Sequence, residues 1–145
     1  MAKKKTAEKK IAKKKKILVV DDESNIRLLV KNMIGHYYDV LEAGDGDEAL
    51  IKAREETPDL ILLDILMPKK DGFSTCHELK SNKATETIPV VMVTALQYEM
   101  DEKLALSLRA DAYVRKPFAS QDLLDTIDNI LSAKHQKRKV TKRQK

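Results

Sequence analysis

Between residues 16 and 133, short apolar runs alternate with longer stretches in which apolar residues recur every three or four positions. The runs 17–20 (ILVV), 38–42 (YDVLE), 60–63 (LILL), 89–93 (PVVMV) and 112–115 (AYVR) have the length and bounding charges of strands. The intervening stretches predict helices over 24–36, where Ile26, Leu29, Val30 and Met33 share a face, and over 46–56, 72–82 and 98–109. A last helix is predicted over 120–132, with Ser120 as N-cap ahead of Leu123, Leu124, Ile127 and Leu131. Asp71-Gly72 reads as a turn feeding the third helix, with Pro68 stiffening the loop before it.

Five β/α alternations with nearly continuous apolar strands imply a parallel sheet covered on both faces and joined by right-handed crossovers. The expected fold is therefore α/β, doubly wound, with five strands. In such folds ligands bind beyond the carboxyl ends of the strands, at the switch point in strand order. The polar residues that end each strand become the candidate chemistry.

Composition narrows the classes. At 145 residues with 42% apolar positions, the chain holds one ordinary domain with a proper core. Its single cysteine, Cys76, rules out an internal disulfide, and His36, His77 and His135 have neither the spacing nor the cysteine partners of a zinc site. A reducing cytoplasm is the expected compartment. No apolar run is long enough for a transmembrane segment, and none follows the basic N-terminus as in a signal peptide. Charge is segregated: residues 1–16 sum to +8, residues 134–145 to +7, and the segment between them to −10. The expected organisation is a domain over 16–133 flanked by disordered basic tails, 1–15 and 134–145, in which Ile11 and Val140 are almost the only bulky apolar residues.

Strand 1 ends in Asp21 and Asp22, strand 3 in Asp64, strand 4 in Thr94, and strand 5 in Lys116 before Pro117. On one sheet edge the three carboxylates repel one another, and a hard divalent cation with oxygen ligands, commonly Mg²⁺, relieves that repulsion. A phosphoryl group bound there would present further oxygens to the Lys116 ammonium and the Thr94 hydroxyl. Asp64 is then a candidate nucleophile, able to become an aspartyl phosphate. Taken singly, an Asp pair after a strand reads equally as a helix cap or a solvated turn, and Thr94 or Lys116 as filler. Agreement across four strand ends is what singles these residues out.

The motifs VVDDE (19–23), DILMPKKDG (64–72), VVMVTA (90–95) and YVRKPF (113–118), in that order, resemble the receiver domain of response regulators in two-component signalling. The resemblance spans roughly residues 16–133. It implies the flavodoxin-like (CheY-like) strand order 2-1-3-4-5 and Asp64 as phospho-acceptor. It also implies Mg²⁺ held by Asp22 directly, by Asp21 mainly through water, by Asp64, and by the backbone carbonyl of Leu66. Thr94 and Lys116 resemble the phosphate-sensing pair, Tyr113 the aromatic that rotates inward with Thr94, and Lys116–Pro117 a cis peptide bond. The positions flanking the hydrolytic water's approach, two residues after the phospho-aspartate and two after the threonine, are Leu66 and Leu96.

The implied activity is a stand-alone phospho-acceptor switch that catalyses its own phosphorylation and dephosphorylation. Its donor would be a sensor histidine kinase or phosphotransfer protein, and its output a surface built from the predicted helix over 98–109, strand 5 and the last helix, offered to a downstream protein. Two rivals belong to other classes. A metal-dependent phosphatase or phosphotransferase would also use a strand-end Asp, but its usual second acid, two residues on, is Leu66 here. A nucleic-acid-binding protein is suggested by the tails, which lack the aromatics that base stacking needs. Clustered Lys and Arg suffice for weak attachment to a polyanion, and serve equally as a solubilising extension.

Overall fold

The computed structural model describes residues 13–95 and 109–144. In chain order the elements are β1 (Lys16–Val20), α1 (Ser24–Ile34), β2 (Asp39–Ala43), α2 (Gly46–Glu56), β3 (Leu60–Asp64), α3 (Gly72–Ser81), β4 (Val90–Thr94), β5 (Ala112–Arg115) and α4 (Ser120–Gln144). The strands form one sheet in the order β2-β1-β3-β4-β5, with all four neighbouring pairs parallel. This is the expected doubly wound, CheY-like α/β architecture. The helix expected over 98–109 falls almost wholly on residues outside the described set, as does Leu96.

Alternation along the strands divides the core. Leu18 and Val20 of β1 join Ile61 and Leu63 of β3 and Met92 of β4 on one face, where Ala49, Ala53, Cys76 and Leu79 cover them. Ile17 and Val19 join Leu60, Leu62, Val91 and Val93 on the other, under Val30, Ile34, Leu123 and Ile127. Each large aliphatic side chain buried in this way stabilises the fold by about 1.5–3 kcal/mol. The small residues of α2, Ala49 and Ala53, are fully buried and let that helix lie close on the sheet.

Local chemistry sets the helix starts. The Asp45 side chain accepts from the Glu48 amide at 2.8 Å while the Glu48 carboxylate accepts from the Gly44 amide at 2.6 Å, capping α2 from both directions. Asp71 caps α3 by accepting from the Ser74 amide. For α4 the expectation needs correction, because Leu123 N–H donates to Ala119 O and so places the cap at Ala119, with Ser120 already in the helix.

A larger correction concerns the end of that helix. The last helix, expected over 120–132, continues to Gln144. From Phe118 onward the sequence has no Gly or Pro, and Ala, Lys, Arg and Gln are strong helix formers, so nothing local ends the helix once it has begun. Among the described residues no helix is long and apolar enough to cross a membrane.

Candidate functional site

The register brings the expected strand ends together. Val20 stands beside Leu63, Asp64 beside Val93 and Thr94 beside Arg115, so Asp21, Asp64, Thr94 and Lys116 emerge along the carboxyl edge of β1, β3, β4 and β5. Asp21, Asp64 and Thr94 are buried, whereas Asp22 is exposed. One carboxylate oxygen from each of Asp21, Asp22 and Asp64 lies within 4.8 Å of the others. Three carboxylate oxygens gathered this closely would repel one another without a cation, and Asp21, Asp22 and Asp64 are the side chains that would hold one. The donor set, all carboxylate oxygen with the Leu66 carbonyl beside it in the chain, suits a hard cation.

Asp21 is committed at both oxygens. Oδ1 accepts from the Glu23 amide at 2.9 Å and Oδ2 from Lys116 Nζ at 3.0 Å, which leaves exposed Asp22 and Asp64 better disposed for direct ligation. Lys116 Nζ also stands 3.7 Å from Asp64 Oδ1. Burial pushes the Asp64 carboxyl up to about 6, partly countered by the Lys116 charge and reinforced by Asp21, while the Leu66 backbone hydrogen bond pulls it down and Asp22 pushes it up. Burial works against the Lys116 charge as well, but the hydrogen bond to Asp21 and the fields of Asp64, Asp21 and Glu23 outweigh it and hold that ammonium above the ordinary lysine value.

The remaining expected residues fall as follows. The Lys116–Pro117 bond is cis. Lys116 N–H donates to Thr94 O at 2.7 Å, tying the loop after β5 to the end of β4. Tyr113 is half-buried opposite Met92 and packs against the core face that contains Leu63. The Leu66 side chain is 56% exposed and so contributes little to the core.

Two supporting residues were not legible as such. Arg27 of α1 donates through Nη1 to the Asp21 carbonyl at 2.6 Å and through Nε to Glu42 Oε1 at 3.0 Å, bracing the end of β1 against β2. Beside the apolar face formed by Ile26, Val30 and Met33 it reads as an ordinary charged position, and nothing in the sequence marks that contact. Gly72, read only as a turn residue, brings α3 against the acceptor: a Cβ there would stand 2.3 Å from the Asp64 carbonyl oxygen and 2.7 Å from Ile65 Cα. The paired Asp71-Gly72 after a strand-end Asp was the available signal.

Residues 17–128 match the family described as the response regulator receiver domain. The alkaline phosphatase synthesis transcriptional regulatory protein PhoP of Bacillus subtilis is 47% identical over 118 residues, covering 81% of this chain and 48% of that protein. The response regulator PleD of Caulobacter vibrioides is 46% identical over 103 residues, 70% of this chain and 23% of its own length. The chain thus spans about half or less of these curated relatives. Among solved structures, the chemotaxis protein CheY4 of Vibrio cholerae superposes with a TM-score of 0.77 at 29% identity, covering 81% of this chain and 99% of that one. A putative response regulator from Chloroflexus aurantiacus does so with a TM-score of 0.79 at 30% identity, covering 83% and 99%. With a family match over most of its length and the fold of its solved relatives, this chain belongs to the response regulator receiver domains.

Proposed function

We propose that the chain is a phospho-acceptor switch in which Asp64 takes a phosphoryl group from the phosphohistidine of a sensor kinase or phosphotransfer protein. In that step the P–N bond to the donor imidazole breaks, its electron pair returns to the ring nitrogen, and a P–O bond forms to an Asp64 carboxylate oxygen. The observation that carries this reading is the buried Asp64 with the Asp21 and Asp22 carboxylates and the Lys116 ammonium all gathered close to it. Burial strips water from the acceptor, and a cation already in place meets the charge that arrives with the phosphoryl group.

Asp22, Asp64 and the Leu66 carbonyl would hold Mg²⁺, with Asp21 acting through water. Bound there, Mg²⁺ supplies charge neutralisation at the carboxylates and at the transferring oxygens. Lys116, now bonded to Asp21, has the phosphoryl oxygens within reach of a short side-chain movement, and Thr94 at the adjacent strand end offers its hydroxyl. Tyr113, half-buried two positions before the exposed Arg115 in β5, is the side chain proposed to move inward as Thr94 engages phosphate, which shifts the surface offered to a partner.

Intact mass after incubation with acetyl phosphate and Mg²⁺ tests this. Wild type should gain one phosphoryl mass, and neither Asp64→Asn nor wild type in excess EDTA should. Equal labelling of wild type and Asp64→Asn would refute Asp64 as the acceptor.

A further inference from the structure

A cavity of about 280 Å³ lies away from the acidic edge, between the turn joining α1 to β2 and the first two turns of α4. Tyr37, Tyr38, Gln121, Leu124, Asp125 and Asp128 line it. Gln121 Nε2 donates to Asp125 Oδ1 at 2.8 Å, and among the described residues no cation pairs with Asp125 or Asp128. Tyr37 is 57% exposed, and the Tyr38 phenol is held above its ordinary value by burial and by the Asp128 charge. Two carboxylates beside two phenol rings select a cationic head group, which gains from the charges and from the ring faces together.

The sequence supplies such groups next to this cavity. Asp39 N–H donates to Lys15 O at 2.9 Å, and Lys14 Nζ donates to Gly35 O at 3.4 Å, so the chain enters β1 stitched to the same turn that carries Tyr37 and Tyr38. Residues 1–12, immediately before it, hold Lys3, Lys4, Lys5, Lys9 and Lys10 against the single acid Glu8. Twelve residues reach up to about 40 Å when extended, so length does not keep these lysines from the cavity. Tethering raises their effective concentration to about the millimolar range, so individually weak contacts suffice.

We propose that the groove between Tyr37–Tyr38 and Asp125–Asp128 is a docking site for the lysines of the chain's own segment 1–12. The acidic face of α4 is then covered by the protein itself, and the basic segment is held on the domain by salt-sensitive contacts. A polyanion that captures the lysines opens the groove.

The test uses the full chain with Thr6→Cys carrying a nitroxide, which leaves every lysine in place. Cys76 is fully buried and burial pushes its thiol up to about 11, so the label goes to position 6. At about 20 mM salt, amide signals of Tyr37, Tyr38 and residues 121–128 should broaden selectively, and the effect should vanish at about 0.5 M NaCl. It should also vanish in the exposed-site variant Asp125→Asn/Asp128→Asn, and when the five lysines are changed to Gln, with the remaining spectrum unaltered. Broadening centred elsewhere, or unaffected by either set of substitutions, overturns the proposal. So does broadening that appears when a spin-labelled chain is mixed with an isotope-labelled, spin-free one, because the occupant is then a second copy.

Discussion

Lys116 bonds Asp21 at 3.0 Å and stands 3.7 Å from Asp64, so one ammonium is shared unequally between two buried carboxylates. The pair that looks most like a salt bridge is therefore the one that does not involve the acceptor. Asp21 holds the cation at the edge of the site, within reach of Asp64 but bonded elsewhere.

Competition between Lys116 and a divalent ion follows from that arrangement. Both place positive charge against the same carboxylates, at a separation where like charges cost on the order of 1–3 kcal/mol. Lys116→Ala should therefore bind Mg²⁺ about tenfold more tightly, read by titration calorimetry. The same variant should still be phosphorylated on Asp64 while its NMR response to beryllofluoride in the last helix shrinks. An undiminished response would remove Lys116 from the switch.

The Asp64 carboxyl gives a pH dependence of defined sign. Its folded value of about 6 lies above the ordinary aspartate value, so the folded state binds this proton more tightly than the unfolded chain does. This contribution to stability is fully present below about pH 4 and is lost as pH rises toward and through 6. By pH 7.5 the loss is on the order of 2–3 kcal/mol. Without divalent ions, Asp64→Asn should match wild type near pH 4 and unfold at higher temperature above pH 6.5, and Mg²⁺ should narrow the gap. A temperature difference that does not change with pH would contradict this.

Gly72→Ala tests the close approach of α3 to β3. The added Cβ meets backbone at 2.3 Å, which no side-chain rotation relieves, so we expect a loss of about 2–3 kcal/mol in urea unfolding. Because the clash is with the carbonyl of the acceptor itself, phosphorylation of the folded fraction should also slow. A variant with unchanged rate would separate helix packing from acceptor positioning.

The duration of the signal depends on water reaching the phosphoryl group. Leu66 offers no hydrogen bond to orient that water, and neither would Leu96. Leu66→Asn with Leu96→Glu should shorten the phosphoryl lifetime several-fold by phosphate release. Since the Leu66 side chain is more than half exposed, that substitution should leave thermal unfolding nearly unchanged. Equal decay in a folded double variant would defeat the argument from water access.

The strands and the acid edge were legible because burial on both faces forces continuous apolar runs, and because charged residues interrupt them at the site. The bounds of α2 were read correctly from its periodicity, with Asp45 and Glu48 capping its start. Contacts between distant elements left no such trace. Lys80 on α3 reads as a solvated helical lysine, yet it is buried, bonding Ile88 O at 2.8 Å and Asp111 Oδ2 at 3.1 Å. The cavity at Tyr37 joins residues more than eighty positions apart. The run of α4 past residue 132 follows from the helix propensity of Ala, Lys, Arg and Gln, which the high charge of the same stretch masks in the sequence.

That buried lysine has a consequence for how the molecule divides its labour. Around Lys80 the end of α3, the start of β4 and the turn before β5 are locked together: Asp111 Oδ2 also accepts from the Val90 amide at 2.8 Å, and Arg109 donates to the Lys80 carbonyl. The two edges of the sheet are thus fastened by different chemistry. The amino edge is held by one ammonium and several carbonyls, and the carboxyl edge carries mutually repelling acids. Substitutions at the amino edge will be felt as lost foldedness, and substitutions at the carboxyl edge as lost message.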